Sequence, residues 1–291
     1  MGETPNPMFL RLKWLLELIA GVNQECADDP WRFEGRVWVE STMRAVFPHQ
    51  FCFARCSIAI VLALLVCSSF SLGADTKVHL PAGEVTKRLA EGSTKMTYHV
   101  AMPKEQPESG RAPLLILFSP GGDGKRILEP VAPAANRYGW IAVGVDKLRN
   151  GAMDTRLMQR MEDQVLDDIL RVIPHDSERI YLGGLSGGAM RAFSLTVRRK
   201  KDGFAGVLSM GGWLGGTQYA RRDYPKGLAV AMIAGDKDEG AHQWSRHDAA
   251  VFTRLGGRVQ MFVFPGGHQM APTGIIRQSI KWFDKDWRTY H

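Results

Sequence analysis

The feature that most restricts the fold is an alternation. From Leu114 to the C-terminus, short apolar runs alternate with segments of helical periodicity. Leu114-Leu115-Ile116-Leu117-Phe118, Trp140 to Val145, Arg179 to Leu182, Phe204 to Met210, Leu228 to Ala234 and Val259 to Phe264 read as strands. A strand that is apolar throughout needs cover on both faces. Expected helices lie between them: Ile127 to Tyr138, interrupted near Pro130 and Pro133; Met153 to Ile173; Ala189 to about Arg199; His242 to Leu255; and Ile275 to Trp287. In the second of these, Leu157, Met161, Val165, Ile169 and Val172 recur at three- and four-residue spacing, and Pro174 stops the helix. Such alternation demands crossover connections. The expected class is therefore α/β, a mostly parallel central sheet with helices on both faces. The working site of such a sheet lies beyond the carboxyl ends of its strands. Upstream, Glu84 to Glu91 and Met96 to Met102 flank Gly92-Ser93 and read as a hairpin, followed by a polar surface loop from Pro103 to Pro113.

One junction carries a chemical signature. Gly184-Leu185-Ser186-Gly187-Gly188 matches G-x-S-x-G between an expected strand and an expected helix that begins at Gly187. There a serine occupies a sharp strand-to-helix turn, flanked by residues small enough to avoid clashes. The helix N-terminus behind it directs free N–H groups at developing negative charge. The plain alternative is that Ser186 caps the helix.

Two further polar residues lie just past strand ends, giving the chain order Ser186, Asp238, His268. A serine hydroxyl is a poor nucleophile at neutral pH and needs a histidine base within reach. The histidine in turn needs an acid to fix its tautomer and stabilise the imidazolium. Asp236 competes with Asp238 for the acid's place, and spacing favours Asp238. His242 and His247 fall on an expected helix, where a solvated face is the default; no third ligand suggests a metal site. Oxyanion donors are expected from the N–H of Gly187 and from the loop after Leu114–Phe118, with Gly122 the first choice and Gly121 next. Trp213, after the strand ending at Met210, either lines a substrate pocket or packs its rim. No metal or organic cofactor is required by this chemistry.

The first quarter of the chain is different. It holds all four cysteines, Cys26, Cys52, Cys56 and Cys67, so the remainder can have no disulfide and no cysteine-based metal site. Met43, Arg44 and Arg55 precede the run Ser57 to Cys67, apolar after its first residue, and Ser71-Leu72-Gly73-Ala74 ends in small residues. That is the layout of a signal peptide at 43–74, cleaved after Ala74. A membrane anchor is the alternative, but the run falls short of the roughly 20 residues a span needs. A lipoprotein site at Cys67 is disfavoured by the large Val66 before it. Residues 1–42 are expected to lie outside the fold, as an extension that translation from Met43 would omit, and 75–291 to form one domain of usual size. The expected location is secreted or periplasmic.

Composition narrows the partners. Apolar residues make up 45% and charged residues 23%, enough to bury a core. The net charge is +7, but the basic residues are scattered. Their one cluster, Arg198-Arg199-Lys200-Lys201, falls at an expected helix C-terminus, where a dipole contact explains it. No nucleic-acid-binding motif accompanies the charge.

At these motifs the chain resembles the α/β-hydrolase superfamily. Gly184-Leu185-Ser186-Gly187-Gly188, Gly235-Asp236-Lys237-Asp238 and Gly266-Gly267-His268 carry the resemblance, in that superfamily's order of serine, acid, histidine. Ala135-Asn136-Arg137-Tyr138-Gly139-Trp140, Arg179-Ile180-Tyr181 and Phe204-Ala205-Gly206-Val207 look like its secreted feruloyl-esterase and polyhydroxybutyrate-depolymerase branch. The likeness covers about residues 95–287. It implies an α/β-hydrolase fold and a cofactor-free serine hydrolase acting on small or polymeric esters through an acyl-enzyme. It also implies Asp238 as the acid that closes G-x-x-D. A small peptidase of the prolyl-oligopeptidase-like type and a non-catalytic binding module are the alternatives. The chain departs from these relatives where it carries Ser119-Pro120 in place of a histidine before the first glycine of the oxyanion loop.

Overall fold

A computed structural model describes residues 77–105, 107, 110–151, 154–214 and 223–291. The expected extension at 1–42, the signal peptide at 43–74 and the four cysteines lie outside the described residues.

The hairpin forms from β1 (Val85–Leu89) and β2 (Thr97–Ala101), paired antiparallel with Val85 opposite Ala101. The six apolar runs become β3 (Leu114–Phe118), β4 (Ile141–Val145), β5 (Ile180–Leu185), β6 (Phe204–Met210), β7 (Ala229–Gly235) and β8 (Arg258–Phe264). Among the described residues these eight strands make one sheet in the order β1-β2-β4-β3-β5-β6-β7-β8. From β4 to β8 all pairings are parallel; β2 joins β4 antiparallel. Every residue of β3, β4 and β7 is buried, as strands covered on both faces require.

Helices cover the two faces. On one lie α3 (Thr155–Val172), α4 (Gly187–Arg198) and α5 (Glu239–Arg254), whose Val165, Ile169, Phe193 and Phe252 pack with Ile116, Val143, Leu182 and Val230 of the sheet. On the other lie α1 (Gly124–Leu128), α2 (Ala132–Asn136) and α6 (Thr273–Tyr290). Their Ile127, Ala135, Ile276, Ile280 and Phe283 meet Leu115, Leu117, Tyr181 and Leu208. Odd and even positions of β3 thus serve opposite cores, the two-residue period of a strand.

The helices depart from the sequence expectations at three points. The helix expected over Ile127 to Tyr138 is two short helices, with Pro130 between them and Pro133 in the first turn of α2. The first starts earlier than expected because Asp123 caps it, accepting from the Arg126 N–H at 2.9 Å. On α3, Leu157 is exposed while the other four members of the apolar stripe are buried.

Candidate active site

The parallel order brings the ends of β5, β7 and β8 to one edge of the sheet. Only β6 separates β5 from β7, a lateral distance of about 10 Å at ~4.8 Å per strand. Ser186 follows β5, Asp238 lies three residues past β7, and His268 four past β8.

Ser186 sits at φ 52°, ψ −122°, a backbone conformation rarely adopted by a side-chain-bearing residue and costing on the order of 1–3 kcal/mol. Its N–H donates to Met210 O at 2.8 Å and its carbonyl accepts from Ala189 N–H at 2.9 Å, which together hold the turn. The hydroxyl makes no capping bond, although Ser186 precedes α4. Helix capping therefore does not account for this serine. Gly188 lets α4 approach the sheet: a Cβ there would lie 1.9 Å from Phe118 O.

Asp238 and His268 are hydrogen-bonded, Nδ1 to Oδ2, at 2.6 Å. The carboxylate accepts the Nδ1 proton, so Nε2 is left with its lone pair. The side chain of Asp238 is 12% exposed and that of His268 45%. Asp238 is further fixed as the cap of α5, its Oδ1 accepting from Ala241 N–H at 3.3 Å. Asp236 has another job: its Oδ1 accepts from Gly266 N–H at 2.9 Å and pins the loop that carries His268. Gly211 closes the far side; a Cβ there would lie 3.3 Å from the His268 ring and 3.5 Å from Asp238 Oδ2. No hydrogen bond joins Ser186 to His268 among the described residues. In unliganded active sites such contacts are often loose and tighten around substrate.

The loop after β3 places its two glycines differently. Gly122, the first choice as an oxyanion donor, has its N–H committed to Ser119 O at 3.1 Å. At φ +70° it turns its backbone against Lys147, where a Cβ would meet the carbonyl carbon at 3.0 Å. Gly121 is differently placed. Its N–H meets only the rotatable Ser119 hydroxyl, at 3.3 Å. The N–H of Gly187 has no acceptor among the described residues.

A cleft of about 750 Å³ opens beside this edge, lined by Ser119, Gly121, Arg126, Ile127, Leu185 and His268 among others. Trp213 is half-buried and does not line it. His242 and His247 lie on α5, and His247 Nδ1 is 3.0 Å from the buried Asp248 carboxylate. Sequence reasoning passed over the loop after β4, residues 146–151, which packs against the β3 loop: Lys147 N–H donates to Gly122 O at 2.7 Å and Asn150 N–H to Pro120 O at 2.9 Å. Its place past a parallel strand's carboxyl end was the available signal.

No protein-family model matches the chain, and no curated protein matches it in sequence. Solved structures do match in fold. A carboxylesterase from Bacillus cereus superposes with a TM-score of 0.52 at 19% identity, covering 66% of this chain and 95% of that one. Est1E from Butyrivibrio proteoclasticus gives 0.55 at 15% identity over 70% and 99%. An inhibited esterase B from Lactobacillus rhamnosis gives 0.54 at 15% identity over 80% and 97%. The chain has the α/β-hydrolase fold.

Proposed function

We propose that this α/β-hydrolase-fold protein is a serine hydrolase that cleaves carboxylic esters, with Ser186 as nucleophile, His268 as base and Asp238 as the acid that orients it. The observation that carries the reading is the 2.6 Å bond between His268 Nδ1 and Asp238 Oδ2 at the sheet edge where Ser186 occupies a strained turn. Ser186 Oγ attacks the ester carbonyl carbon while His268 Nε2 takes its proton. The alcohol leaves with that proton as its C–O bond breaks. Water, deprotonated by the same histidine, then releases the acid from the acyl-enzyme. The N–H groups of Gly187 and Gly121 hold the oxyanion, the second in place of Gly122 for the reason given above. No cofactor enters these steps. The fold neighbours named as carboxylesterase and esterases support ester chemistry.

The cleft mixes apolar walls (Ile127, Leu185, Met270) with Arg126, Glu129 and Gln269, and it suits small esters or the end of a polymeric one. Trp213, which follows the Gly211-Gly212 turn beside His268, is assigned a substrate contact at the alcohol or acyl side in this reading. Export through the signal peptide at 43–74 belongs to the same reading; no described helix is long and apolar enough to cross a membrane.

The test is a parallel assay on short aryl esters and matched aryl amides. The ester rate should far exceed the amide rate, and Ser186→Ala should lower it more than about 10⁴-fold. Amide cleavage at a comparable rate would indicate a peptidase. An ester rate unchanged in Ser186→Ala would overturn the assignment.

A further inference from the structure

Asn150 stands between the two halves of the proposed oxyanion site. Its backbone N–H donates to Pro120 O at 2.9 Å, which fixes it beside Gly121. Its side chain covers Gly187. A Cβ built on that glycine would lie 2.2 Å from Asn150 Nδ2, 2.3 Å from its Oδ1 and 2.5 Å from its Cγ, so the whole carboxamide lies over it. A side chain at Gly187 would have to displace that carboxamide. Asn150 is exposed to solvent, and its carboxamide makes no hydrogen bond within the described residues. A carboxamide nitrogen carries two donor protons, and both are available here.

The segment that presents this amide is a loop, yet it is held from several sides. Gly121 and Arg149 form an antiparallel bridge, and Lys147 N–H reaches Gly122 O. From the helix layer, the buried Arg191 of α4 donates to Leu148 O at 2.9 Å and to Arg149 O at 3.5 Å. Arg191 is itself fixed by Glu162 of α3, Nε to Oε1, at 2.9 Å. A donor aimed at developing charge is effective when it is held in place before the reaction, because no reorganisation is then required. The helix that carries Gly187 thus also anchors the backbone that carries Asn150.

From this geometry we infer that Asn150 is a catalytic residue: its Nδ2–H donates to the ester carbonyl oxygen as that oxygen becomes the oxyanion, beside the Gly187 N–H. The inference rests on the esterase reading above. No bond is made or broken by Asn150; its hydrogen bond strengthens as charge moves onto the oxygen.

The experiment compares wild type, Ser186→Ala, Asn150→Ala and Asn150→Leu on one aryl ester, with kcat, KM and Tm measured for each. Leucine keeps the bulk against Gly187 and removes the donor. Both Asn150 variants should lower kcat by about 10- to 1,000-fold with KM within about threefold of wild type and Tm little changed. A Leu variant within about twofold of wild type in kcat would overturn the assignment and leave Asn150 a packing residue. So would a loss confined to KM. If Leu lowers Tm, the Ala variant decides by the same criteria. An inactive wild type would instead sink the esterase reading, so the two failures are distinct.

Discussion

Two aspartates two residues apart compete for one histidine, and the structure gives them different partners. Asp238 holds His268 Nδ1, while Asp236 holds the Gly266 N–H two residues upstream of that histidine. Replacing Asp238 by Asn removes the acceptor that fixes the tautomer and should lower kcat by about 10⁴-fold, as in the general triad case. Asp236→Asn keeps the shape of a loop tether and should cost about tenfold or less. Side-by-side ester kinetics check the ranking; equal losses would show that loop placement, not the tautomer, governs the histidine. At this scale the sequence pointed to Ser186, Asp238 and His268 because the proposed chemistry restricts the residue types, and the Asp238–His268 bond supports that reading. The proposed second oxyanion donor was not legible there. Gly121 and Gly122 are identical in the sequence, and only the turn that engages Gly122's N–H with Ser119 O tells them apart. Asn150 was equally hidden, since its value lies in a contact with Gly187 across sequence-distant loops.

An ionic link joins the elements on the α3–α4 face. Glu162 of α3 accepts from Arg191 at 2.9 Å and from Arg198 at 2.8 Å, with Glu162 7% and Arg191 9% exposed. Burying such a pair adds little net stability, but deleting one member strands the other. Glu162→Ala should therefore destabilise by about 3–5 kcal/mol, read by urea unfolding; a change below about 1 kcal/mol would mean that Arg191 rests on the 148–149 carbonyls alone. Element positions were largely readable. The long apolar stripe of α3 and the six apolar runs each became the expected element, because burial on one or both faces writes a period into the sequence. The segment over 127–138 was harder. Two prolines marked a break, but the sequence does not say whether a kinked helix or two separate ones results.

For the whole molecule, strand–helix alternation announced a parallel sheet, but not the order in which its strands lie. That order depends on crossovers between distant segments, and it decides which loops meet. The edge where β5, β7 and β8 end follows from it, and so does the placing of Ser186, Asp238 and His268 just past the ends of those strands. The net charge of +7 adds little to substrate choice, because exposed charges are screened within about 10 Å at ordinary salt. Ester hydrolysis here requires a reactive serine at the strained turn. A fluorophosphonate probe, followed by peptide mass mapping, tests this most directly. The folded wild type should carry one phosphonate adduct on Ser186, and His268→Ala should label far more slowly. An unlabelled folded protein, or an adduct on a residue other than Ser186, would contradict it.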